Sequence, residues 1–317
     1  MQQANDALKK WRIIFMGTPE FAVASLDALY RAGCHIVAVV TAPDKPAGRG
    51  MTLQQSPVKT YAVQHRIPVL QPTKLKDPLF LESLSEYKAD IQVVVAFRML
   101  PELVWSMPPH GTINLHGSLL PQYRGAAPIN WAIINGETET GVTTFQLAHE
   151  IDTGNILLHR KIPITEDMNA GALHDQMKLI GADVLLETLN LLAQGSIKAK
   201  PQDELLQVHQ GVLKHAPKIF TETCQINWHK PVDEVYNLVR GLSPYPAAFT
   251  ELNGKKLKIF SAKKSLTQSA KPGNIDTDRK TYLRFGCTDG WLELTELQLE
   301  GKKRMSVPEF LRGYRFE

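Results

Sequence analysis

Three short runs constrain this chain more than anything else in it: RIIFM at residues 12–16, HIVAVVT at 35–41 and IQVVVA at 91–96. Each is apolar at almost every position, where a strand with one wet face would alternate. Strands of that kind must be covered on both sides, which calls for helices above and below a parallel sheet. The segments between them supply the covers. Pro19 stands where a helix can begin, and Phe21, Leu26 and Leu29 lay an apolar stripe along it. Residues 58–65 and 79–87 read as helices, 69–70 as a short strand, 102–107 as a short helix and 111–116 as another strand. Residues 42–50, rich in Pro and Gly, read as a loop. A strand pair at 142–147 and 156–164 encloses the loop 148–155, and 173–192 is a long amphipathic helix. The expected fold is α/β, with an N-terminal doubly wound, mostly parallel sheet of Rossmann-like form.

At 317 residues the chain exceeds what one core usually serves. Residues 194–207 are polar, carry Gly195 and Pro201, and read as a linker. Beyond it the pattern changes to short strands at 225–228, 248–252, 257–261, 282–285 and 291–297. Asn253-Gly254 and Asp289-Gly290 stand where tight hairpin turns belong, and one helix, 232–240, interrupts. The expectation is a first domain over 1–193, a linker over 194–207, and a smaller C-terminal β-barrel, OB-like, over 208–317.

Composition excludes several classes. The first ten residues are polar, unlike a signal peptide, and no apolar run approaches the roughly 20 residues that span a bilayer. A cytoplasmic protein with no membrane association is the simplest reading. Cys34, Cys224 and Cys287 are odd in number and widely spaced, against both a disulfide framework and a zinc site, and no histidines have metal-ligand spacing, so no metal is expected. The net charge of +4 is unevenly placed. Residues 1–200 balance, and the whole excess lies in 201–317, with local clusters at Lys255-Lys256-Leu257-Lys258, Lys263-Lys264 and Lys302-Lys303-Arg304. A basic module beside a neutral one suits a polyanionic partner. On charge alone, a solvated lysine-rich face is the simpler account.

The residues with chemistry to offer cluster after the strand at 111–116. Period-two geometry points Asn114 and His116 to the same side. An amide donor beside an acid/base group, at the carboxyl end of a strand in an α/β pattern, suits acyl transfer. Asp152 lies in the loop that follows residues 142–147. Taken singly these signals are weak: a histidine at a strand end is more often a structural donor, and Asp-Thr-Gly is a common turn. Gly17-Thr18-Pro19 lacks the full dinucleotide fingerprint and reads as a tight strand-to-helix turn.

NLHGSLLPQYRG at 114–125 and HEIDTG at 149–154, in that order, resemble the formyltransferase family that uses 10-formyltetrahydrofolate. The resemblance runs from Arg12 to Lys303. It implies that Asn114, His116 and Asp152 form the catalytic set. It assigns Ser118, Leu119, Leu120 and Pro121 to the folate site, with Phe97, Arg98, Met99 and Leu100 forming one wall of the pterin pocket and Ile151 facing them. Two places depart from the commonest family form: Phe97-Arg98 stands for Tyr-Gly, and Ser243-Pro244-Tyr245-Pro246 for Asn-Pro-Trp-Pro, where a packing role is expected.

The loop PDKPAGRG at 43–50 resembles the branch of the family that acts on methionyl-tRNA. It implies that Lys45 and above all Arg49 meet the acceptor end of the tRNA; from the charge placement, Lys255, Lys256, Lys258, Lys302 and Lys303 are the expected contacts of the second module with the same polyanion. The implied reaction moves a formyl group from 10-formyltetrahydrofolate, a cosubstrate, to the α-amine of methionyl-initiator tRNA, with a monomer as the working form. The rivals are a formyltransferase acting on a nucleotide-sugar amine, which the 43–50 loop argues against, and a non-catalytic folate- or tRNA-binding module, which the intact Asn114/His116/Asp152 set argues against.

Overall fold

Apolar runs buried on both faces assemble here into one sheet. The computed structural model describes residues 3–47, 52–208, 212–267 and 271–316. Its contacts divide them into two compact units: 1–124, 141–162 and 175–214 form the first, and 125–140, 163–174 and 215–317 the second.

The sheet of the first unit runs Ile156–Pro163, Glu139–Gln146, Thr112–His116, Ile91–Val95, Arg12–Gly17, His35–Val40, Val69–Leu70. Its strands are parallel from Thr112–His116 to Val69–Leu70, and antiparallel where Thr112–His116 meets Glu139–Gln146. This is the α/β, Rossmann-like architecture the sequence predicts. Every side chain of Ile91–Val95 is buried, as the unbroken apolar run demands. The helices begin where local chemistry lets them. Ser56 accepts the Lys59 amide at 3.0 Å to cap Pro57–Gln64, and Asp77 accepts the Leu79 amide at 3.0 Å to cap Pro78–Glu86. Pro19 caps Glu20–Arg31. Gly17 makes that turn possible: a Cβ there would lie 2.7 Å from the Ala22 Cβ and 3.0 Å from the Val95 carbonyl.

Register and alternation place Ile14, Met16, Gln92, Val94, Thr112, Asn114 and His116 on one face of this sheet. Ile14, Met16 and Val94 belong there to a buried cluster with Phe80, Leu84, Leu100 and Val104. Leu115 points the other way, toward the helix Ala170–Ala193, where a Cβ on Gly181 would come within 2.8 Å of it.

In the first unit two segments differ from the sequence reading. Residues 42–50 are not all loop: Lys45–Ala47 pairs antiparallel with Thr52–Gln54. The hairpin is anchored at its base by Asp44, whose carboxylate accepts the Lys59 ammonium at 2.5 Å and the Gln71 amide at 2.8 Å. The polar stretch 194–207 also carries structure, the helix Gln202–Val208.

In the second unit a curled antiparallel half-barrel runs Ala248–Leu252, Lys255–Ser265, Trp291–Leu299, Leu283–Gly286, Ile275–Thr277, with Met305–Ser306 pairing against Trp291–Leu299. Asn253 and Gly254 have φ of 49° and 71° between the paired residues Leu252 and Lys255, as a two-residue hairpin turn requires. Asp289-Gly290 is not such a turn. Gly286 pairs with Trp291 across a longer loop, and Asp289 accepts the Val232 amide at 2.7 Å at the start of Val232–Leu242. Residues 225–228 are not a strand beyond the single bridge from Gln225 to Phe249. Trp228 stacks on Phe285 at 4.6 Å and donates its indole N–H to Thr250 at 3.0 Å. The helix Pro128–Ile134, absent from the sequence reading, packs on Val232–Leu242, where Asn130 donates to the Gly241 carbonyl at 2.7 Å.

The hairpin anchor yields a pH prediction. Hydrogen bonds from Lys59 and then Gln71 hold the Asp44 carboxyl below its ordinary value of 3.8. A lowered folded-state value adds stability above the unfolded value, lost as pH falls through the folded one. Asp44→Asn should therefore melt earlier than wild type at neutral pH, and the difference should close in acid. Thermal unfolding across pH checks this; a pH-independent difference would contradict it.

Candidate active site

A histidine can serve as an acid or base only if its ring is held and one nitrogen is left for the substrate. His116, 6% exposed, ends the strand Thr112–His116. Its Nε2 lies 2.8 Å from the Tyr123 carbonyl. A carbonyl can only accept, so Nε2 carries the hydrogen and Nδ1 is the basic nitrogen of the neutral ring. Nδ1 faces the Asp152 carboxylate at 3.8 Å, and both side chains are nearly buried.

The two partners of His116 come from loops that sequence-local sterics hold in place. The loop after the strand is closed by Ser118, whose hydroxyl donates to the Gln122 carbonyl at 2.6 Å. Thr143, opposite His116 in register, donates to the Ser118 carbonyl at 2.7 Å and accepts the Leu120 amide at 3.2 Å. Tyr123 sits at φ 59°, which turns its carbonyl back toward the ring. Asp152 is also left-handed, at φ 56°, a conformation aspartate tolerates better than most residues. Gly154 then closes that loop: a Cβ there would fall 1.6 Å from the Gln146 carbonyl oxygen.

Asn114, half-buried, lies on the same face as His116. Among the described residues its carboxamide has no hydrogen-bond partner, which leaves its N–H groups for a substrate oxygen. The structure thus brings together an uncommitted amide donor, an imidazole of fixed tautomer and a carboxylate. The three cysteines are buried and free, and burial pushes the thiols of Cys34 and Cys287 up to about 12. Such thiols are poor nucleophiles.

The residues expected around the folate divide into two sorts. Ser118 and Leu120 are spent on structure, Ser118 inside its own loop and Leu120 in a buried cluster with Phe145 and Ile156. Phe97 and Leu100 pack against the cluster beneath the sheet face. Met99 and Ile151 instead are 71% and 61% exposed, apolar surface open to a ligand; Leu119 and Pro121 are half-buried. Arg98 ties two loops together: its guanidinium donates to the Thr73 carbonyl at 2.9 Å and also to that of Pro72.

Arg49 lies outside the described residues, and Lys45 is exposed on the hairpin. In the second unit Lys255, Lys256 and Lys258 lie along Lys255–Ser265, with Lys258 paired with Gln298. Gln298 donates to the Lys302 carbonyl at 2.8 Å, and the Glu300 amide donates to Lys256 at 2.8 Å. The two lysine clusters, with Lys303, are therefore neighbours. Lys264 is not available in the same way, being paired with Asp233 at 2.6 Å and Glu166 at 3.0 Å. Tyr245, expected to pack, is instead 82% exposed.

Comparison with known proteins identifies the family. Residues 10–189 match the family described as formyl transferase, and residues 218–315 match the formyl transferase C-terminal domain. The chain belongs to the formyl transferase family. A protein of Parabacteroides distasonis named methionyl-tRNA formyltransferase is 55% identical over 311 residues, 96% of either chain. One of the same name from Bacteroides fragilis is 52% identical over 309 residues, 96% of this chain and 95% of the other. Among solved structures, a Helicobacter canadensis N-formyltransferase in complex with folinic acid and dTDP-3-aminofucose superimposes with a TM-score of 0.67 at 20% identity, over 93% of this chain and all of that one. HypX from Aquifex aeolicus in complex with tetrahydrofolic acid gives 0.63 at 20% identity; the match covers 96% of this chain but spans only about half, 48%, of that longer one. At such identities these structures speak for the fold.

The loop that carries Asp152 gives a second prediction. Gly154→Ala should cost roughly 1–3 kcal/mol or more, because the added methyl meets backbone that cannot step aside. Denaturant unfolding measures it, and an unchanged midpoint would mean the loop is loosely held.

Proposed function

We propose that this chain transfers the formyl group of 10-formyltetrahydrofolate to the α-amine of methionyl-initiator tRNA, in the cytoplasm and as a monomer. One observation carries the reading: Asn114, His116 and Asp152 stand together in a chain about half identical, over nearly its whole length, to proteins named methionyl-tRNA formyltransferase.

The chemistry follows from what the groups can do. The amine attacks the formyl carbon, forming a C–N bond and a tetrahedral oxyanion. Asn114, whose carboxamide has no partner among the described residues, donates to that oxygen. Nδ1 of His116 takes up a proton, and the charge on the ring then faces the Asp152 carboxylate. The bond to the folate nitrogen breaks as that nitrogen receives a proton, and the ring returns to its neutral tautomer. Met99 and Ile151 offer apolar surface for the pterin beside this face. No acyl-enzyme intervenes, in keeping with thiols that burial holds protonated. Arg49 and Lys45 read the acceptor end through the 43–50 loop. Lys255, Lys256, Lys258, Lys302 and Lys303 hold the phosphate backbone.

Transfer of labelled formyl to charged initiator tRNA, against charged elongator methionyl-tRNA, tests the reading directly. His116→Ala and Asp152→Ala should each lower kcat roughly 10²- to 10⁴-fold with folate affinity nearly unchanged. Near-normal turnover in either variant would remove that residue from the mechanism. Affinity for tRNA should fall steeply with added salt, as counterions are released from phosphates. Replacing Lys256 and Lys302 by alanine should flatten that salt slope; an unchanged slope would place the contacts elsewhere.

A further inference from the structure

Gln202 opens the helix Gln202–Val208 and is only 2% exposed, although polar. Its carboxamide is fully engaged. Nε2 donates to the Asp152 carbonyl at 2.8 Å and to the Gly154 carbonyl at 2.8 Å. Oε1 accepts from Arg124, from Nε at 3.1 Å and from Nη2 at 2.6 Å. Both N–H bonds and both lone pairs of one side chain are used, on two segments far from it in sequence.

The two ends of this bridge are the two loops that hold His116. Arg124 is the residue after Tyr123, whose carbonyl fixes Nε2. Asp152 is the residue whose carboxylate faces Nδ1. Asp152 is held in the left-handed region, at φ 56°. A group that grips its carbonyl and that of Gly154 fixes the backbone from which the carboxylate projects.

We propose that Gln202 is a positioning residue for formyl transfer, which joins the Tyr123–Arg124 loop to the Asp152–Gly154 loop and so sets the distance between His116 and Asp152. Only glutamine fits. The site needs two donors toward carbonyls and an acceptor toward a guanidinium, from a side chain of this length. Glutamate keeps the acceptor and loses the donors, asparagine is a methylene short, and lysine accepts nothing. This rests on the reaction proposed above.

The test uses the full-length chain, Gln202→Glu and Gln202→Met, with thermal unfolding to confirm folding. Misplacement of a catalytic group by about 1 Å costs roughly 10²-fold. Gln202→Glu should therefore lower kcat by up to about that factor, while KM for folate and for charged tRNA stays within about threefold. The ratio of Gln202→Glu to wild-type kcat should rise as pH falls, because a protonated carboxyl regains one donor toward the carbonyls. Gln202→Met, which cannot regain it, should show no such rise. Folded variants with wild-type kcat, or with loss in KM alone, would overturn the proposal. Should either variant fail to fold, Arg124→Lys keeps Gln202 but removes the fork that orients its oxygen, and it should lower kcat in the same way; normal kcat there would also overturn it. If the wild-type chain transfers no formyl group to charged tRNA, the proposed reaction fails instead.

Discussion

The strand Thr112–His116 has a parallel neighbour on one side and an antiparallel one on the other, and the arrangement of the site follows from that switch. Parallel strands deliver their carboxyl ends to one edge, where His116 and its loop emerge. The antiparallel strand Glu139–Gln146 ends at the opposite edge, where the Leu147 amide meets the Thr112 carbonyl at 2.8 Å. The following loop must therefore travel back over the sheet, about 13 Å for four strand residues, before Asp152 can meet His116. Leu147 keeps it on the sheet by packing into the cluster that holds Ile14, Met16 and Val94. The tight closure at Gly154 and the grip on the Asp152 carbonyl both belong to the cost of that return.

Much of this was legible in the sequence, and the gaps have physical causes. The runs at 12–16, 35–41 and 91–96 announce their burial because a strand covered on both faces cannot hide its pattern. Asn114 and His116 are legible for a related reason, since alternation within one strand needs no knowledge of partners. Asp152 was readable only through the family's motif, because nothing local says that a loop will fold back across a sheet. The helix Pro128–Ile134 is not legible because it is short and its partner, Val232–Leu242, lies a hundred residues away. Gln202 reads as linker for the most basic reason: a polar side chain looks like solvent contact until the three residues it bonds are known. Asp289-Gly290 has the composition of a tight hairpin, but its carboxylate is taken up by the amide of Val232.

The charge pattern shows the same division between what composition and geometry can say. Lysines at 255–258 and 302–303 are separate in sequence and adjacent on the half-barrel, so their fields add over one patch. Lys263-Lys264 looks equivalent in sequence and is not, because Lys264 is neutralised by two carboxylates. A field that steers a polyanion depends on which cations remain unpaired as well as on how many there are.

The bond between the Tyr123 carbonyl and Nε2 of His116 has a consequence for traffic at the site. A ring bonded through both nitrogens can pass a proton from one side to the other, like a gate with two leaves. Here one leaf is fastened to backbone, so the ring has a single door. A proton that enters at Nδ1 must leave at Nδ1, and in the proposed reaction the incoming amine and the departing folate nitrogen use that same edge in turn. In that reaction both proton transfers use the one edge of the ring that faces Asp152.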